Sequence, residues 1–256
     1  MNIMNTKHRN NNNKNLKRIF TFGNQGSGKS TFLSSLIKFI RDDEDLLFIF
    51  DHNNENSKSI IVDWIDKIES TPLEFPPTTQ VFRELSVAFH GIESNYRIRY
   101  TLFEMPGEEL KQIDYREHGT FNDNIETALN SSDVIIAMIA YDKISSDALL
   151  LEQFLNYLYR KQMKIPVAIV ISMWDLHLNS TGKKGCISED IKEILNNKEM
   201  KMKNCIKFLK AKDLFINPAI FSFSIGNNNG KGNFYYSPIG LKEITEWIMV
   251  NTTKRR

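Results

Sequence analysis

Cysteine is scarce in this sequence: Cys186 and Cys205 are the only two in 256 residues, and neither stands in a zinc-type ligand pattern. That excludes a disulfide-stapled secreted scaffold and points to two ordinary thiols in a reducing cytoplasm. Long apolar runs are missing too. The longest, such as Val134 to Tyr141, reach about eight residues, whereas a membrane-spanning helix needs roughly 18. Charge of one sign is also lacking: 33 basic and 31 acidic side chains leave a formal charge of only +2. So balanced a surface gives no argument for nucleic acid as a partner.

What is present is the composition of an ordinary globular chain, 41% apolar and 25% charged, long enough for one large α/β domain. Residues 1–15 are polar and carry the run Asn10 to Asn13. They lack the apolar core of a secretory signal and read as a disordered tail. Residues 16–251 read as a single domain, and 252–256 as a short basic tail.

Apolar β-type runs alternate with helical-period segments, the pattern of a mostly parallel sheet covered by helices on both faces. Strands are predicted at Arg18 to Phe22, Leu46 to Phe50, Val81 to Phe89, Arg97 to Phe103, Val134 to Ile139, Val167 to Ser172 and Ala219 to Ser224. Helices are predicted at Lys29 to Arg41, Lys58 to Glu69, Ser145 to Lys161, Ser188 to Lys212 (broken) and Ile239 to Val250. The short connection between the third and fourth strands predicts an antiparallel hairpin inside the sheet. Two long irregular stretches remain, Ser70 to Gln80 with three prolines and Pro106 to Thr120 with several charges. Connections of that length in a compact domain are either functional or disordered.

Gly23-Asn24-Gln25-Gly26-Ser27-Gly28-Lys29-Ser30 fits G-x-x-x-x-G-K-[ST], between a predicted strand and a predicted helix. Glycines let such a loop turn its backbone N–H groups inward around phosphate oxygens, and the helix onset adds partial positive charge. In this arrangement Lys29 spans the outer phosphates of a nucleoside triphosphate and the Ser30 hydroxyl meets a Mg²⁺ ion, with Thr31 opening the helix beside them.

The class of nucleotide protein is decided downstream. Phe75-Pro76-Pro77-Thr78-Thr79 precedes the first hairpin strand, and Glu104-Met105-Pro106-Gly107 followed by Glu108-Glu109 ends the second. Ser172-Met173-Trp174-Asp175 follows the Val167 strand, and Ser222-Phe223-Ser224-Ile225-Gly226 ends the last. A carboxylate at Asp175 can accept two hydrogen bonds from the ring N–H and the exocyclic amine of guanine, which adenine cannot offer in that arrangement.

The order of these segments resembles the Ras-like and translation-factor (TRAFAC) class of P-loop GTPases, and within it the bacterial double-GTPase proteins of conflict-system operons. The resemblance covers about residues 16–250. It implies a three-layer P-loop NTPase fold with one antiparallel hairpin strand. It also implies Mg²⁺-dependent hydrolysis of GTP to GDP and phosphate, and action as a molecular switch. Ser30, Thr78 (or Thr79) and Glu104 would hold the metal, and the Gly107 N–H would contact the γ-phosphate. Ser172, Met173, Asp175 and Ser224 would read the base, and Glu108, where the class carries glutamine, would orient water. Glutamate replaces the usual aspartate at 104, serine the usual Asn or Thr at 172, and methionine the usual lysine at 173. Neither Arg83 nor Arg116 reads as a cationic finger. Slow turnover and a protein partner, an effector or a second GTPase subunit, are therefore expected. Ser70 to Gln80 and Pro106 to Thr120 would be the switch segments. Two alternatives stay open: a GTP-binding regulatory or scaffold protein with little hydrolysis, and an ATP-using P-loop NTPase.

Overall fold

The apolar runs at Val134 and Ile165 are too continuous for a strand with one wet face, and a sheet covered on both sides explains them. The computed structural model describes residues 16–44, 46–50, 55–77, 80–91, 97–107, 121–181, 204–205, 215–228 and 234–253. Its strands are β1 (Leu16–Phe22), β2 (Leu46–Phe50), β3 (Arg83–Gly91), β4 (Arg97–Glu104), β5 (Val134–Ala140), β6 (Ile165–Ser172), β7 (Phe215–Ser222), β8 (Ser224–Asn228) and β9 (Phe234–Ile239). The first seven form one sheet in the order β2-β3-β4-β1-β5-β6-β7, and β8 and β9 form an antiparallel pair. β3 runs antiparallel to both β2 and β4, while β4, β1, β5, β6 and β7 are mutually parallel.

Helices α1 (Lys29–Arg41), α2 (Glu55–Glu69), α3 (Asp123–Ser131), α4 (Ile144–Arg160), α5 (Trp174–Thr181) and α6 (Leu241–Thr253) complete the described elements, with a 3-10 turn at Tyr141–Lys143. Alternation along β5 divides the core. Ile135, Ala137 and Ile139 join a cluster with Leu129 of α3 and Leu151, Phe154 and Leu158 of α4. Val134, Ile136 and Met138 join the opposite cluster with Leu33, Leu36 and Ile37 of α1, Trp64 of α2 and Ile244 of α6. Every residue of β5 and β6 is buried, as a central strand with helices on both faces requires.

The α/β class and the mostly parallel sheet with one antiparallel strand are as predicted, but three local readings change. The predicted strand Ala219 to Ser224 breaks after Ser222, and Ser224 instead begins the separate β8. Ile239 is the last residue of β9 rather than the first of a helix. Gly240, at φ +76°, turns the chain before α6 starts at Leu241. α6 then runs to Thr253, so the helix reaches into residues read as a basic tail. Helices α3 and α5 were not predicted. The former is capped by Asn122, whose side chain accepts the Ile125 N–H at 3.1 Å. The 1–15 tail, Cys186, Arg116 and most of the predicted Ser188 to Lys212 helix lie outside the described residues. Among the described residues no helix is long and apolar enough to cross a membrane.

Candidate functional site

Because β4, β1, β5, β6 and β7 are parallel, the segments that leave them emerge along one rim of the sheet. The order reverses at β1, with β4 on one side of it and β5 on the other, and such a switch point opens a crevice at the carboxyl ends. The glycine loop 23–28 leaves β1 at this point. Gly26 and Gly28 stand at φ +75° and +82°, left-handed conformations that other residues adopt only with strain. Gly28 is the N-cap of α1, so the first backbone N–H groups of that helix point toward the crevice.

Lys29 is buried and folds back over the loop, donating to the carbonyls of Gly23 and Asn24 at 2.9 Å each. Burial pushes its ammonium down to about 8, against the opposing pull of Glu104 and Asp147. A cation so poorly solvated, with only neutral carbonyls as hydrogen-bond acceptors, is suited to an incoming polyanion.

Glu104 ends β4 with its carboxylate fully buried. The Ser30 hydroxyl donates to Glu104 Oε1 and also lies 3.4 Å from the Pro77 carbonyl. The other carboxylate oxygen accepts no hydrogen bond, and Arg83 Nη1 stands 3.6 Å from it. Arg83 faces Glu104 directly across the β3–β4 ladder and lies over the Trp64 ring. A buried carboxylate oxygen with spare acceptor capacity beside a hydroxyl fits an oxygen-seeking cation that keeps water or ligand oxygens in its remaining positions. Among the described residues no cluster of three or more His, Cys, Asp or Glu side chains forms a closed metal cage. Thr78, the third expected ligand, lies outside the described residues, as do Thr79 and Glu108.

Gly107 packs onto the glycine loop itself. A Cβ there would stand 2.1 Å from the Gln25 nitrogen and 2.5 Å from the Asn24 carbonyl carbon, so only glycine permits this approach. The acid-x-x-Gly segment and the glycine loop, about eighty residues apart in sequence, are thus in backbone contact.

The cleft has two chambers that share Gly28, Thr31, Phe75 and Met173. One, of about 580 Å³, is lined by the glycine loop, Lys29, Ser30, Pro76 and Glu104. The other, of about 640 Å³, is lined by Ser172, Asp175, Leu176, Phe223, Ser224 and Ile225. Met173 takes a left-handed backbone conformation, φ +56°, which turns the chain sharply between β6 and α5. Behind it the buried Ser172 hydroxyl donates toward the Ser27 carbonyl at 2.8 Å, with the Ile139 carbonyl at 3.2 Å, and so ties β6 to the glycine loop. Ahead of it Asp175 stands half-buried in the first turn of α5, where burial raises its carboxyl and its own backbone N–H pulls it back. The buried Ser224 hydroxyl has no hydrogen-bond partner beside this apolar chamber, and an unspent polar group of that kind is suited to a ligand.

Every expected site residue within the described set lines this cleft or the loop that forms its floor. Two contributors carried no role in the sequence reading. Phe75, half exposed at 50%, lies where the chambers meet. Asp147, at the start of α4, is buried under the glycine loop. Phe75 belonged to a segment already singled out, but Asp147 had no distinguishing local pattern. No protein-family model matches the chain, and no curated protein matches it.

Proposed function

We propose that this protein is a Ras-like P-loop GTPase that binds Mg²⁺-GTP and hydrolyses it to GDP and phosphate as a nucleotide-dependent switch. The observation that carries this reading is the convergence of five separate segments on one two-chambered cleft. They are the glycine loop, the 75–77 strap, Glu104 with Gly107, Ser172 to Asp175, and Ser224. Their order along the chain is that of the GTPase class, and their chemistry is divided as a nucleotide is: cation and N–H groups at one end, apolar walls with one carboxylate at the other.

In this reading the triphosphate lies along the N-terminus of α1, where Lys29 leaves the Gly23 and Asn24 carbonyls for the outer phosphates. Ser30 and Glu104 hold the Mg²⁺, which when bound neutralises charge on the phosphate oxygens. Met173 and Phe75 cover the faces of the base, and Asp175 accepts hydrogen bonds from the guanine N–H and amine. Water attacks the γ-phosphorus as the bond to the β,γ-bridging oxygen breaks, giving GDP, phosphate and a proton. Glu108, outside the described residues, remains the expected water-orienting group. Arg83 supports the expectation of slow turnover without a partner: engaged with Glu104 and Trp64, it serves structure rather than reaching for the phosphates. The same contact favours a second reading, a GTP-binding regulatory protein with little hydrolysis, because it sets a fixed cation beside the expected metal acid.

Calorimetric binding of GTP, GDP and ATP with Mg²⁺, repeated on Asp175→Asn, tests the assignment. Tight GTP and GDP binding lost in the variant is expected. Tight ATP binding indifferent to the substitution would replace GTP by ATP, and single-turnover hydrolysis with Lys29→Ala as control separates enzyme from scaffold.

A further inference from the structure

Asp147 is a carboxylate that the reaction above does not use, yet it is 3% exposed and adjoins the glycine loop. One of its oxygens accepts the Ala140 N–H at 3.0 Å, at the end of β5. The other accepts the Asn24 side-chain amide at 3.2 Å, with the Ser146 hydroxyl at 3.5 Å. The Asn24 side-chain oxygen Oδ1 in turn accepts the Gln25 backbone N–H at 2.9 Å. Gln25 and Asn24 are the backbone atoms on which Gly107 rests.

We propose that Asp147 is a positioning residue for nucleotide binding: acting through Asn24, it fixes the glycine loop at Gln25 as the seat for Gly107. Asp147 does not touch the nucleotide itself. The inference deepens the nucleotide-binding reading and rests on it. A buried carboxylate is costly unless several donors satisfy it, and beside the local Ala140 N–H and Ser146 hydroxyl one of its donors comes from the glycine loop. The contact to Asn24 spends the second oxygen on the loop. A carboxylate can accept from both donors, whereas an amide cannot, because one of its two ends is itself a donor. Asp147→Asn therefore leaves either Ala140 N–H or Asn24 facing a second donor while preserving volume.

Protonation imitates that change. Burial raises the Asp147 pKa above the ordinary 3.8, opposed by the Ala140 N–H, Asn24, Lys143 and Ser146. Lys143 and Lys29 are the charged groups that act on it. As pH falls through the raised value, the ionised acceptor is lost and the seat for Gly107 loosens. Folding stability from this group moves the opposite way: the folded state binds the proton more tightly, so its contribution is largest at low pH and is lost as pH rises through the folded pKa.

The test is a titration of Mg²⁺-GTP and Mg²⁺-GDP, with fluorescent analogues, from the ordinary carboxylate range up to neutral pH. It compares the unmodified chain, Asp147→Asn, Asn24→Ala and the double variant. Each single substitution should weaken GTP by about tenfold, with a smaller effect on GDP. The double variant should be no worse than either single one, since the two groups act as one unit. The unmodified protein should lose affinity toward low pH, and both single variants should show a flattened profile. Should Asp147→Asn fail to fold in a thermal melt, Asn24→Ala alone decides, because it cuts the same link from the loop side. Additive losses, or an unaltered affinity and pH profile in the variants of a chain that does bind nucleotide, would overturn the positioning role and leave the nucleotide reading intact. An unmodified chain that binds neither nucleotide overturns both.

Discussion

The two chambers of the cleft are built on different principles. The chamber at the glycine loop has a floor of backbone, with left-handed glycines, the first N–H groups of α1 and the carbonyls that hold Lys29, and a few polar side chains set on it. The chamber beyond Met173 is made of side chains, among them Phe223, Ile225, Leu176 and Asp175. Backbone construction needs specific residue types at fixed spacing, because few residues adopt φ near +80°, and any side chain at Gly107 would put its Cβ 2.1 Å from the Gln25 nitrogen. Side-chain construction needs only the right shape, which many residues supply. The first chamber should thus tolerate substitution poorly, and the second should tolerate all but its carboxylate.

Lys29→Ala should produce the largest effect. Losing a buried cation that meets phosphate costs roughly 3 kcal/mol, about 100-fold in affinity, for GTP and GDP alike, read by calorimetry. An affinity within a few-fold of the unmodified protein would break the contrast, since an apolar chamber would then be carrying the binding. Gly107→Ala comes next. Its methyl group cannot fit beside Gln25, and the displacement should cost roughly 2 kcal/mol, about 30-fold, in binding of a non-hydrolysable GTP analogue. GDP binding should hardly change, as the reading above assigns Gly107 to the γ-phosphate. Asp175→Asn should be smaller and selective: roughly 1.5 kcal/mol, about tenfold, against guanine nucleotides, with ATP binding unaffected. Leu176→Ala in the same chamber should stay within about threefold by comparison, the loss of one partly exposed side chain.

The smallest effect is one of pH. With Lys29 lowered to about 8 from 10.5, the empty protein gives up between these values a proton that the unfolded chain keeps. The empty fold therefore gains stability as pH rises through that window. Nucleotide binding needs the charged form, so affinity should decline over the same window, and complex formation above about pH 8 should take up a proton. Calorimetry in buffers of different ionisation enthalpy measures this uptake, and Lys29→Ala should abolish it.

The same division explains what could be read from the chain. α1, β2 and the hairpin pairing were legible because apolar period and turn chemistry are local. The glycine loop was legible because its spacing records backbone geometry. Helix α5 was not, since its eight residues carry little amphipathic signal and its start depends on the left-handed Met173. Helix α3 left a fainter trace: an Asn cap, acids at Asp123 and Glu126, and Ile125, Ala128 and Leu129 at helical spacing. The break after Ser222 arises from a long-range cause. Phe223 bonds to Ile171 and Trp174 of the neighbouring segment, and Gly240 presses against the Ser222 carbonyl. Asp147 became visible only once α4 was folded beneath the loop, because nothing local separates it from the exposed Asp142.

The reversed direction of β3 has a consequence for how the cleft is covered. Helix α2 descends to the far edge of the sheet, where Glu69 is bonded to Lys38 and Arg41 at the end of α1. A parallel strand in the place of β3 would begin at that same edge, and a few residues would reach it. Because β3 begins instead at the rim, opposite Glu104, the chain must first climb the height of the domain. A nine-residue strand spans about 30 Å, and the thirteen positions from 70 to 82 reach at most about 45 Å, enough for the climb. The climb carries Phe75, Pro76 and Pro77 across the mouth of the cleft, and the roof of the cleft is the return path that one inverted strand makes necessary.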